Sequence, residues 1–423
     1  MLKKVIAVSV AAAIVAAGVV GAQSARAPEL FEVSSVKAGA ALPAGVNNML
    51  RGKSAQWAAR VSVKREMLTG AQREMMLDMP DGPRLRMRLA KFRRAGNGDI
   101  VWSGADRLTL DGRMDLSGQA PATALFVVRG KRIIGQISTA TGEVYEMMTS
   151  EDGAQQFMVK RDRSSLEGGD DTPAHVGIPQ QPDSSRRLST RAEAVTRAGE
   201  TIIRVMQVYT PEAVTELGGQ NGANDRAAFF IAQSNTTFAN NGLAVLFEDA
   251  GVRFTTQGQS TNDSPTLVSR IQGTTDGWFD EYSTTERNST GADLVALVVR
   301  DGLVSGGSLL CGQATSIGAV ASGGFFVQNH VCTTFTFVHE AAHLFGARHD
   351  NDPTTTPFRY GHGYVNAGGN FRTIMAVNSN PQPRIGYFST IDQTFNGSTM
   401  GTSRKSNNER VMRERAATMA AFR

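Results

Sequence analysis

Three histidines, a glutamate, a glycine and an aspartate stand at fixed spacings late in the chain: His339, Glu340, His343, Gly346, His349 and Asp350. The chain has six histidines in 423 residues, and three of them fall in this string. Thr333 to Leu344 contains no Gly or Pro, and Phe335, Val338 and Ala342 recur at helical spacing, so the segment is predicted to be a buried helix. Residues four apart on a helix lie one above the other, so His339 and His343 can grip one ion. Imidazole nitrogen suits zinc, and three protein ligands with one open position suit a catalytic rather than a structural site. Gly346 lets the helix stop and the chain turn back, bringing His349 in as third ligand. Glu340 is the non-ligand: a carboxylate beside the ion can take a proton from the attacking water and hand it to a leaving amine.

The competing reading is a core helix whose histidines only meet hydrogen-bonding needs. The glycine and the third histidine weigh against it. Asp350 has two readings, a hydrogen-bonding brace for the loop after His349 and a solvated loop carboxylate.

The extended string resembles that of the metzincins, in which a methionine turn follows it. Arg372-Thr373-Ile374-Met375-Ala376 looks like that turn, and the resemblance implies that Met375 is an apolar floor beneath the ligand rings rather than a ligand. Asp350, the run Tyr360-Gly361-His362-Gly363-Tyr364 and the run Val205 to Pro211 resemble the reprolysin-like bacterial peptidases, in particular those similar to peptidyl-Asp metalloendopeptidase. The likeness covers about residues 200–423. Two departures matter. Some metzincins place a zinc-binding Tyr two residues after the Met, where this chain has Val377. Some block the zinc with a propeptide cysteine, but both cysteines here, Cys311 and Cys332, lie in the peptidase-like part.

Met1-Leu2-Lys3-Lys4 precedes an apolar stretch from Val5 to Ala22 that ends in small residues, the pattern of a secretory signal peptide over 1–27. An uncleaved anchor is the alternative, because the stretch is near the minimum spanning length. An exported chain with an even cysteine count points to a Cys311–Cys332 disulfide, which would contribute roughly 3 kcal/mol by closing a loop of about 20 residues. Two free buried thiols are the alternative. Up to residue 190 the chain has 26 Lys and Arg against 19 Asp and Glu, and beyond it 18 against 20. The basic surplus therefore lies outside the peptidase-like part, and no nucleic-acid motif accompanies it, so a nucleic-acid partner is not expected.

Residues 28–163 lean towards short antiparallel strands, as in Ile100 to Gly104, Ala124 to Val128, Ile133 to Ser138 and Val144 to Met148. They are read as a β-rich propeptide domain. Residues 164–200 are poor in large apolar side chains and read as a linker with a maturation site, or as a linker that is never cut. Residues 201–423 are read as an α/β (α+β) metzincin-like catalytic domain with a mixed, mostly parallel sheet. In it, 202–209 and Asp293 to Val299 are strands, Ala223 to Asn240 and Glu409 to Phe422 helices, and the runs 319–321 and 325–327 the edge strand above the zinc.

Together these features predict a secreted or periplasmic zinc endopeptidase made as a zymogen, with one catalytic zinc, protein or peptide substrates and its own propeptide as partner. No lasting membrane association is expected once the leader is removed. Acidic loops offer oxygens for calcium, but no pattern supports a site. Metzincins build the pocket for the residue after the scissile bond from the chain following the Met-turn, which here carries Arg384; the peptidyl-Asp likeness implies that this cation favours an acidic side chain. A structural Arg is the alternative. The alternative function is a zinc-containing binding or adhesion module without catalysis, against which the intact Glu340 argues.

Overall fold

The computed structural model of the chain describes residues 27–34, 42–166, 196–197, 199–377 and 380–423. The expected leader and most of the expected linker lie outside the described residues. Among the described residues no helix is long and apolar enough to cross a membrane.

Nine strands make the first sheet: β1 (Phe31–Ser34), β2 (Ala55–Val63), β3 (Glu74–Asp78), β4 (Arg84–Arg94), β5 (Ile100–Ala105), β6 (Thr123–Arg129), β7 (Arg132–Ser138), β8 (Val144–Thr149) and β9 (Gln156–Arg161). Their order is β1-β2-β9-β8-β7-β6-β5-β4-β3. Every pairing between them is antiparallel. The sheet curls until its ends meet, where Leu30 donates to Met76 O at 3.0 Å and Met76 donates to Pro28 O at 2.8 Å. Closure removes the unpaired edges. The strand period of two sorts the side chains of β6. Ala124, Phe126 and Val128 face a core with Trp102, Tyr145 and Met147, while Leu125 and Val127 face outward into the second core.

The second sheet has the order β11-β10-β12-β14-β13, from β10 (Glu200–Tyr209), β11 (Val245–Phe254), β12 (Leu294–Val299), β13 (Gly312–Ala314) and β14 (Phe325–Asn329), with the two-residue strand Thr196–Arg197 paired antiparallel to the start of β10 as its sixth member. All pairings on this path are parallel except the last, β14 with β13. The architecture is therefore mixed α/β with a mixed, mostly parallel sheet. The edge expectation needs correction. Phe325–Asn329 is an inner strand, buried throughout, and Ala319 and Val320 lie outside any strand, followed by a short 3-10 helix at Ala321–Gly323; the edge is the three-residue β13. A fully apolar run such as Phe325-Phe326-Val327 marks a strand covered on both faces, which an edge rarely is.

Four helices matter to the site: α1 (Gln220–Asn240), α2 (Ser264–Gln272), α3 (Thr336–Phe345) and α4 (Asn408–Met419). Asp263 and Asn407 cap α2 and α4 with their side chains. Gly219, which starts α1, has no side chain to cap with. Glu151 from the first sheet does that work, accepting from Asn221 N at 3.1 Å and Gly222 N at 3.2 Å. α1 lies between the two sheets, its Phe229 and Phe230 in the same core as Leu125, Val127 and Ile134. Polar contacts reinforce this seam. Asp225 pairs with Arg132 at 2.8 Å and Arg129 at 3.5 Å, Arg93 with Glu200 at 3.2 Å, and Glu146 with both Arg161 and Arg226.

Candidate metal centre

α3 begins three residues later than its sequence suggests. Thr333 is gripped from both sides, its O accepting from Gln233 Nε2 at 2.8 Å and its Oγ1 from Gln136 Nε2 at 3.1 Å. Phe335 then takes a left-handed φ of 63° before the helix starts. Every residue of α3 is buried. It ends at Gly346, whose φ of 121° and closeness to Phe358 leave no room for a side chain: an added Cβ would stand 2.7 Å from that ring.

His339 and His343 point from one face of α3, and His349 returns after the turn. His349 Nε2 stands 3.1 Å from the Nε2 atoms of both His339 and His343. His339 Nδ1 lies 3.0 Å from Ile374 O, and His343 Nδ1 lies 2.8 Å from Ala347 O. A carbonyl only accepts, so both Nδ1 atoms carry the proton and both Nε2 atoms turn a lone pair inward. One His349 ring cannot satisfy two inward lone pairs well; a cation can satisfy all three rings. Two nitrogens about 2.0–2.1 Å from a tetrahedral zinc stand about 3.3 Å apart, so the donor set and its spacing fit such an ion. Among the described residues this is the one group of His, Cys, Asp and Glu ligand atoms gathered in this way.

The third histidine is tethered from two directions. Arg348 N donates to Gly361 O at 2.6 Å and Gly363 N donates to Arg348 O at 2.9 Å. Asp350 Oδ1 accepts from Val377 N at 2.9 Å, and Asn380 Nδ2 reaches Asp350 Oδ2 at 3.4 Å. Asp350 thus joins the loop after His349 to the turn that carries the buried Met375. Gly363 lies against the same turn: an added Cβ would stand 2.5 Å from the Met375 carbonyl. The glycines of the Tyr360–Tyr364 run therefore serve packing. His362 between them is buried, with Nε2 2.9 Å from Thr354 O, and burial pushes its imidazole below the ordinary range. His330 is a buried partner of Glu216 at 2.7 Å, and His175 lies outside the described residues.

Glu340 is buried on α3 beside the histidine face, against the edge strand β13. Cys311, the residue before β13, is disulfide-bonded to Cys332, with Cα atoms 5.6 Å apart, which fixes the edge strand to the chain entering α3. Arg384 is part-buried beyond the turn, donating to Thr334 O and Ala376 O at a long 3.4 Å each. Its Nε meets no acceptor, and among the described residues it forms no ion pair. It lines a cleft of about 510 Å³, with Phe335 and Tyr387 on one side and Gln136 and Arg163 on the other. Sequence reasoning singles out Arg384 but not the cleft, whose far wall comes from the first sheet.

The profile of metallo-peptidase family M12 (Reprolysin_5) matches residues 199–389. A peptidyl-Asp metalloendopeptidase of Stenotrophomonas maltophilia is 34% identical over 358 residues, covering 81% of each chain. A second from another strain is 31% identical over 422 residues, covering 95% of each, and one from Xanthomonas campestris pv. campestris is 32% identical, covering 84% of this chain and 83% of its own. Similarity of this extent, on a chain whose matched segment holds the three converging imidazoles, makes it a metalloendopeptidase belonging to metallo-peptidase family M12.

Proposed function

We propose that the chain is a zinc endopeptidase, with His339, His343 and His349 holding one zinc ion and Glu340 acting as general base and then general acid. The observation that carries this reading is the convergence of three buried Nε2 atoms, two of them fixed by carbonyl partners, beside a buried carboxylate on the same helix. Zinc, when bound, lowers the pKa of water and polarises a carbonyl oxygen. Glu340 takes the proton of the attacking water and passes it to the leaving amine. Met375 is the apolar floor of the site, and Asp350 holds the third ligand's loop to that floor. The edge strand β13 offers backbone groups to an extended substrate, adding it as a further strand.

The relatives' name supports cleavage beside aspartate, and Arg384 is the group proposed to read it. Its donors are weakly engaged by two carbonyls, one of them Thr334 O just before the start of α3. Cleavage profiling on a proteome-derived peptide library tests both parts. Wild-type protein is expected to cut bonds preceding Asp and to stop when a chelator removes the metal. Arg384→Ala is expected to keep cutting while its Asp preference falls about 10- to 100-fold, matching the ~1.5–3 kcal/mol of a hydrogen bond to a charged group. Cleavage insensitive to chelation overturns the zinc reading; an unchanged Asp preference removes Arg384 from specificity.

The first sheet, residues 28–163, is proposed to be a propeptide domain, with 1–27 a signal peptide, 164–200 a linker cut during maturation and 201–423 the peptidase. The mature enzyme is then secreted or periplasmic. Supporting this, the first sheet has its own closed core and meets the second through a seam centred on α1. An inactive binding module would have no use for Glu340 at its buried position, so that alternative is not favoured.

A further inference from the structure

We propose that Gly312 is a positioning residue for Glu340: the missing side chain at this point of the edge strand is what lets the Glu340 carboxylate stand where it serves the reaction. The inference rests on the reading of Glu340 as the base.

Glycine at 312 is not explained by its backbone. Its φ lies outside the left-handed region, and it pairs within β13 opposite Gln328 as any residue would. What it lacks room for is a Cβ. One added there would stand 2.7 Å from Glu340 Cγ, 2.7 Å from Oε1 and 2.8 Å from Cδ. Those atoms are the stem and one oxygen of a single side chain, so a small adjustment at the carboxylate tip would not relieve the contact. Glu340 would have to change rotamer.

Neither side can retreat. β13 is held on one flank by its ladder to β14 and by Asn329 N donating to Cys311 O at 2.8 Å, and Cys311 is fixed to Cys332. α3 is fully buried and pinned through His339 to Ile374 O and through His343 to Ala347 O. A methyl group at 312 therefore displaces the carboxylate rather than the strand or the helix. The three atoms nearest to that methyl group all belong to Glu340 and none to an imidazole, so the ligand set is expected to keep its metal. The consequence is selective: the proton carrier moves while the ligands stay. Misplacement of a reacting group by about 1 Å costs on the order of 100-fold in rate.

The test is Gly312→Ala in the full chain, matured as the wild type is. The expected result is a kcat lower by about 100-fold with KM within about twofold and one zinc per chain. A thermal-melt cycle checks that the contact itself is responsible. Gly312→Ala should lower Tm in the presence of Glu340 and leave it unchanged in the Glu340→Ala background, where the clashing atoms are gone. If the single variant does not fold, the double variant should fold as well as Glu340→Ala alone. A kcat within twofold of wild type, loss of zinc, or an equal Tm loss in both backgrounds overturns the proposal. A Glu340→Gln variant that still turns over would sink the general-base reading and leave the melt cycle standing, so the two failures are told apart.

Discussion

Glu340→Gln is expected to lower kcat by about 10²- to 10⁴-fold while the protein keeps one zinc ion and its melting temperature. The amide has the shape of the carboxylate, so it fits the same buried place on α3 beside β13. It cannot accept a proton from water at neutral pH, so only the step proposed for Glu340 is expected to be lost. Metal content by elemental analysis, with kcat on a peptide that wild type cleaves, checks both halves. Turnover within tenfold of wild type would remove Glu340 from proton transfer. Loss of zinc with loss of turnover would mean that the carboxylate supports the ion instead.

The candidate metal centre is legible in the sequence because its three proposed ligands are close along the chain. A spacing of four on one helix and a glycine-forced return fix where His339, His343 and His349 go with no knowledge of the rest. The same holds for the strands of the first sheet, whose period of two and turn glycines are local. What joins distant segments was not legible. Gly312 touches Glu340 across 28 positions, and a three-residue strand such as Gly312-Gln313-Ala314 has no alternation to reveal it. Phe325-Phe326-Val327 reads as a strand because it is apolar, yet apolarity reports burial and not position in the sheet, so it does not tell an edge strand from an inner one. Gly363 belongs to a family-like run, but its reason, contact with the Met375 backbone, exists only once both loops are folded together.

Glu146 is the clearest case of hidden meaning, and it carries the second large expectation. In sequence it is the polar residue within Val144-Tyr145-Glu146-Met147-Met148, which would ordinarily face water. In the structure its side chain is 1% exposed and is clasped by Arg161 of the first sheet and Arg226 of α1. Burial opposes its ionisation, but the Arg226 and Arg161 guanidiniums outweigh burial and hold the carboxyl below its usual range. Glu146→Gln keeps the shape and removes the charge, leaving two buried guanidiniums with no anion between them. Breaking a buried ion pair from one side costs about 3–5 kcal/mol. For a chain this size the full-length protein should melt roughly 5 °C lower at pH 7. A carboxyl with a lowered folded-state pKa gives stability that is present above its unfolded value of about 4.3 and disappears as pH falls through the folded one. The melts of wild type and Glu146→Gln should therefore draw together as pH falls below about 4. A difference under 2 °C at pH 7, or a gap that persists in acid, would show that the two guanidiniums find other compensation. Because Glu146 and Arg226 come from opposite sides of the seam, the lost stability falls on the docking of the first sheet against α1, the contact that a propeptide would have to give up on leaving.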